Sequence, residues 1–99
     1  MSQVEQNVIE AILKYVKIKG GNNMNWYVGV SKDPERSMFK EHNVDKTKNP
    51  WMYKSASDNL EAVRIEEYLL KLGFDGASIV RDVKATGVYV YRKAPNTKE

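Results

Sequence analysis

Asn25-Trp26-Tyr27-Val28-Gly29-Val30-Ser31, running on through Lys32-Asp33-Pro34-Glu35-Arg36, is the stretch whose reading decides the fold. Its first part is rich in β-formers and reads as a strand. Alternation gives that strand unlike faces. Trp26, Val28 and Val30 make a fully apolar side, while Tyr27, Gly29 and Ser31 set a phenol beside an empty position. A glycine inside a strand weakens it unless something must approach closely there. Asp33 then reads as an N-cap and Pro34 as the first residue of a helix that runs to about His42.

Upstream, residues 3–19 carry Val4, Val8, Ile9, Ile12, Leu13 and Val16 on one face at helical period, which predicts an amphipathic helix. Gly20-Gly21-Asn22-Asn23 ends it with residues that tolerate positive φ. Downstream comes a polar loop over Asn43–Pro50, then a strand over Trp51–Ala56. Ser57 or Asp58 caps a third helix, with Glu61 placed as a capping-box partner of Asp58. That helix runs to about Leu72 and stops at Gly73. Strands are expected at residues 77–81 and at Val88–Arg92. The order predicts an α+β fold in which a small three- or four-stranded sheet packs with about three helices. Residues 1–93 form one domain in this reading, and 94–99 a flexible tail.

The size of the chain, 99 residues, suits one core. A hydrophobic content of 41% is too high for a disordered chain. Without cysteine there is no disulfide framework, thiolate metal site or cysteine nucleophile, which fits a reducing compartment. No apolar run approaches the roughly 20 residues that span a bilayer. The opening MSQVEQNVIE has acids and no basic segment, unlike a signal peptide. These absences lead us to expect a cytoplasmic protein without a membrane partner. The net charge of +3 permits a phosphate partner without demanding one.

Several side chains ask for more than packing. On the third helix Arg64, Glu67 and Lys71 share a narrow polar arc, and Glu66 falls between Ala62 and Leu70 in the apolar sector. An isolated buried carboxylate is expensive. Either a local salt bridge satisfies Glu66, or that side of the helix is exposed, or the carboxylate has work to do. His42, the only histidine, lies between Met38 and Phe39 on the second helix and faces inward. It serves as a structural histidine, a helix C-cap or a site residue. Arg36 lies towards the opposite margin of that helix and can fork hydrogen bonds to a phosphate. Tyr27 is core packing or a working phenol. Together these groups could carry out phosphoryl chemistry: a phenol to activate water, a guanidinium to steady phosphate charge, a carboxylate to hold a metal.

Tyr27-Val28-Gly29 through Arg36, then Glu41-His42, resembles the second half of the core of the GIY-YIG nuclease superfamily. Arg64-Ile65-Glu66-Glu67-Tyr68-Leu69-Leu70 resembles that family's glutamate-bearing helix. The likeness covers residues 25–72. It implies metal-dependent hydrolysis of phosphodiesters, with DNA as the first expectation for partner. Carried over residue by residue, it implies Tyr27 as base or water-positioning group, Arg36 as phosphate stabiliser, His42 as assistant, and Glu66 as the ligand of magnesium or manganese. The chain departs from the pattern in three places. The opening GIY strand is not evident: Leu13-Lys14-Tyr15-Val16 reads as a helix end, or else residues 15–19 form a degraded GIY strand turning at Gly20–Asn23. The arginine comes one residue early, with Ser37 in its usual place, and His42 is displaced by one the other way. From Gly73 onward no motif is assigned. The departures allow a relative that has lost catalysis.

Glu66, His42 and Tyr27 meet only if the second and third helices cover the Tyr27 side of the sheet, with the first helix on the other. Separations beyond about 12 Å would deny them a shared substrate. Two other function classes compete. One is a non-enzymatic nucleic-acid-binding module using Lys32, Lys40, Lys46, Lys48, Lys54 and Arg36, with Trp51 and Tyr53 stacking on bases. The other is a protein-interaction or inhibitor module anchored by Trp51, Met52 and Tyr53.

Overall fold

The computed structural model describes residues 2–76 and 82–99. Among these, helix α1 (Gln3–Lys19) leads to strand β1 (Trp26–Ser31), helix α2 (Pro34–Arg36), strand β2 (Trp51–Ser55), helix α3 (Asn59–Lys71) and strand β3 (Gly87–Arg92). The fold is α+β, as expected. The sheet has three strands in the order β1-β3-β2, and both pairings are antiparallel. The last strand therefore inserts between the two earlier ones. The strand expected at residues 77–81 lies outside the described residues.

The helix ends follow local chemistry. The Ser2 side chain caps α1 by accepting from the Glu5 N–H, and α1 stops at Gly20, whose φ is 91°. Residues 15–19 are helical throughout, so the alternative of a degraded GIY strand there is overturned. Tyr15 is fixed as a helical residue by packing edge-on against Trp26 at 5.8 Å and by accepting a hydrogen bond from the Trp51 N–H at 3.0 Å. Asp58 caps α3 through the Glu61 N–H. The Glu61 carboxylate accepts from the Ser57 N–H and from the Ser2 hydroxyl, which ties the starts of α1 and α3 together. Beside that tie, Arg64 pairs with buried Glu5.

Segregation of the two β1 faces gives two cores. Ile12, Trp26, Val28, Ile65, Leu69 and Val90 belong to the larger one. Both α1 and α3 therefore pack on the Trp26 side. This corrects the expectation that α3 would cover the Tyr27 side, and the reason is its apolar sector: Ala62, Ile65 and Leu69 are all fully buried there. The smaller core gathers Tyr27, Met38, Val44, Tyr89 and Tyr91, with Phe39 and Trp51 at its margin. The segment around α2 covers that side.

That segment has an unusual backbone. After Arg36 the helix widens into a π turn over Ser37–Glu41, in which the His42 N–H reaches the Ser37 carbonyl at 2.9 Å. One residue more per turn rotates everything that follows. The C-terminal tail returns across the same side. The Lys98 N–H donates to the His42 carbonyl at 2.7 Å, and Asn96 bonds to Asn43 and Asn49. The segment expected to be a flexible tail is thus hydrogen-bonded along its length to the loop that follows α2.

Candidate active site

The smaller core opens into a cavity of about 450 Å³. Tyr27 and Gly29 of β1, Tyr89 of β3, Ser37 and His42 of the α2 segment, and Glu66 of α3 all line it. Glu66 belongs to a helix on the far side of the sheet. Its carboxylate lines the cavity even so. The convergence of Tyr27, His42 and Glu66 expected from sequence is therefore met by a route the sequence reading did not foresee.

Tyr89 is the residue that holds the cavity together. Alternation along β3 places Tyr89 and Tyr91 on the side of Tyr27, with Val88 and Val90 in the other core. Gly29 stands directly opposite Tyr89 in the β1–β3 register. A Cβ at Gly29 would overlap the Tyr89 Cζ and Oη, so glycine is what lets the phenol lie across β1. The Tyr89 hydroxyl then meets His42 Nε2 at 2.9 Å. On its other side His42 Nδ1 lies 2.6 Å from the Lys98 carbonyl oxygen. A carbonyl only accepts, so Nδ1 carries a proton and donates. In the neutral ring Nε2 is left to accept from the Tyr89 O–H; this tautomer is assigned from the partners. The imidazole packs against two tyrosine rings that also stack on each other, 4.8 Å from Tyr27 and 5.3 Å from Tyr91.

Burial dominates the electrostatics. It raises the Tyr89 hydroxyl well above the usual tyrosine range, with Tyr27, Glu41 and Glu66 adding to the effect, so this phenol stays protonated. Tyr91 is raised by burial and by its hydrogen bond to Glu99, 2.8 Å away. Glu66 is 4% exposed. Burial, and then the adjacent Glu67 charge, push its carboxyl up to about 7 from an ordinary 4.5. The ion pairs among the described residues, Arg64–Glu5 and Lys93–Asp75, do not involve it. Among the described residues, then, no salt bridge satisfies Glu66.

Arg36 does not join the site, which corrects its placement there. It is exposed and lines a separate surface hollow with Asp33, Glu35, Phe39 and Lys40. One residue along a helix turns the side chain by about 100°, and Ser37 points inward in its stead, its Oγ 2.6 Å from Ser31 Oγ. Lys32 is the one lysine or arginine among the described residues lining the cavity, beside the carboxylates of Glu41, Glu66, Asp82 and Glu99.

The other expected nucleic-acid contacts are dispersed. Lys40 flanks Arg36. The Lys46 ammonium lies 5.6 Å above the Phe39 ring. Lys48 is exposed on the loop whose turn Asp45 organises by accepting from the Thr47 and Lys48 N–H groups. Trp51 is half-buried, packs edge-on against Phe39 at 4.9 Å, and donates its indole N–H to the Lys46 carbonyl. Lys54 pairs with Val88 and faces the α1 side, away from the cavity.

Sequence reasoning missed Tyr89, Tyr91, Lys98 and Glu99. A signal for the tyrosines was available, since a strand over Val88–Arg92 was expected and its odd-numbered positions are both tyrosine. Nothing in the sequence announced the tail contacts. Among the described residues no group of three or more His, Asp or Glu is arranged to hold a metal ion. The chain matches no protein-family model, no curated protein and no solved structure.

Proposed function

We propose that this cavity is a phosphodiester-hydrolysing site of the GIY-YIG kind, acting on DNA with a divalent metal. The observation that carries the reading is the meeting of Tyr27, His42 and Glu66 around one cavity from three separate elements. A second observation supports it. Gly87-Val88-Tyr89 offers a counterpart to the missing opening motif: it runs antiparallel to β1, with Gly87 opposite Ser31 and Tyr89 opposite Gly29. In this reading Tyr89 takes the part of the tyrosine sought near the N-terminus.

In this reading Tyr27 positions or deprotonates the attacking water, and Lys32 faces the phosphate charge. His42 fixes the Tyr89 hydroxyl through Nε2. Because that phenol stays protonated, Tyr89 acts as a hydrogen-bond donor rather than a base. Glu66 fits a metal ligand: it is a carboxylate that lines the cavity with no ion pair among the described residues, and magnesium commonly takes only one or two protein carboxylates together with substrate phosphates. When bound, magnesium or manganese would screen charge on the phosphate and the departing oxygen. Nicking of supercoiled plasmid in magnesium or manganese, abolished by chelator, is the expected result. Intact plasmid with either metal contradicts the hydrolase.

The position of Arg36 favours one alternative. With serine where the guanidinium was expected, the same fold could hold nucleic acid without cutting it. Such a binder would retain DNA in an anisotropy titration, lose it steeply with rising salt, and be indifferent to Glu66→Ala.

A further inference from the structure

We propose that the outer edge of β2, with the groove between it and α1, docks a second polypeptide: a short, extended segment rich in acidic and aliphatic residues.

Edge position and hydrogen-bond parity make the edge available. Among the described residues β2 pairs only with β3. The Arg92 N–H donates to the Pro50 carbonyl and the Ala56 N–H to the Thr86 carbonyl, which marks both as hydrogen-bonded pairs of the ladder. By alternation the backbone groups of Met52 and Lys54 also point to β3. Those of Trp51, Tyr53 and Ser55 point outward. The Trp51 N–H is taken by the Tyr15 hydroxyl. Beyond it, the N–H and C=O groups of Tyr53 and Ser55 stand exposed, as a strand-addition site requires.

The groove beside this edge defines the partner. Its volume is about 500 Å³. Ala11, Ile18 and Met52 line it together with the rings of Tyr15, Trp51 and Tyr53, and Ile18 is 69% exposed, a large apolar side chain left in water. The charged groups that line it are Lys14 of α1 and Lys54 of β2, with no carboxylate between them. Aliphatic side chains alternating with carboxylates match this lining. A second copy of the chain matches it badly, because its own β2 would bring a lysine and no carboxylate to the pairing. Nucleic acid could satisfy the lysines but would leave the outward N–H and C=O ladder and the aliphatic part of the lining unused. This site lies across the sheet from the cavity of Tyr27 and Glu66 and does not depend on what that cavity does.

The test is a titration of the full chain, labelled with nitrogen-15, with a blocked peptide of alternating glutamate and valine. The amide signals of Tyr53 and Ser55 should shift and their hydrogen exchange should slow. The double substitution Lys14→Glu, Lys54→Glu, both at exposed positions, should weaken binding at least about tenfold. A matching lysine–valine peptide should not bind. Unmoved Tyr53 and Ser55 amides at millimolar peptide would overturn the proposal, as would equal binding of the lysine peptide. Slow exchange at those amides before peptide is added, with sedimentation that depends on protein concentration, would assign the edge to a second copy instead. Displacement of the peptide by a short DNA duplex would assign it to nucleic acid.

Discussion

Burial of Glu66 has a cost, and the cost has a sign. Its carboxyl is raised from 4.5 to about 7 in the folded protein. Between those values the folded state holds a proton that the unfolded state has released. Stability is therefore fully present below about pH 4.5 and is lost as pH rises through 7. Glu66→Gln keeps the shape and removes the titration. In metal-free buffer the variant should gain stability over the wild type at pH 8, on the order of 3 kcal/mol at most, and little at pH 4, measured by urea denaturation. An equal gain at both pH values would mean that the carboxyl is not held neutral by burial. A divalent ion should reverse the wild-type loss if Glu66 is its ligand.

Tyr89→Phe makes a second test at this scale. It removes the O–H that His42 Nε2 meets and leaves a buried nitrogen without its partner, at a cost of about 1–3 kcal/mol. A thermal melt that does not move would place the Tyr89–His42 contact outside the folded state in solution. Sequence could name Glu66 and His42 because a polar residue in an apolar sector is visible on a helical wheel. It could not name Tyr89 as their neighbour, because strand order decides that, and no local pattern states that β3 lies beside β1.

At the scale of elements, caps and turns were legible and their consequences only partly so. Asp58 before α3 behaves as its sequence signature requires, and Asp58→Ala should cost about 0.5–2 kcal/mol in denaturant-induced unfolding; no loss would mean that the cap is carried by other groups. The Asp33-Pro34 start of α2 is equally local. The π turn over Ser37–Glu41 is not. Its i to i+5 bond sets His42 over Ser37, and both side chains line the cavity. The same bond does nothing for Arg36, which precedes the turn. The placement of α3 was misjudged for a related reason. A wheel shows which face of a helix is apolar, but not which face of the sheet that sector meets.

For the whole molecule, the division into a larger aliphatic core and a smaller aromatic one follows from the two faces of β1, and the sequence displayed both. The larger core is where stability is concentrated. Ile65→Ala should cost about 2–5 kcal/mol, because Ile65 is fully buried between α1, α3 and the sheet. A loss below 1 kcal/mol, far under the usual range, would mean that α3 packs elsewhere. The smaller core is less a source of stability than a frame. Its aromatic rings, the tail and the π turn together hold a histidine and a phenol beside a carboxylate supplied from across the sheet. That assembly depends on contacts between residues 27, 42, 66, 89 and 98, which are distant in sequence.

The most direct test of the account is a side-by-side nicking assay on supercoiled plasmid, in magnesium and in manganese, with wild type, Glu66→Ala and Arg36→Ala purified identically. The account predicts that wild type nicks, that Glu66→Ala loses at least about a hundredfold in rate, and that Arg36→Ala nicks within a few-fold of wild type, because its side chain faces away from the cavity. Loss in Arg36→Ala as deep as in Glu66→Ala would contradict the geometry, and nicking that survives Glu66→Ala would contradict the assignment of the site.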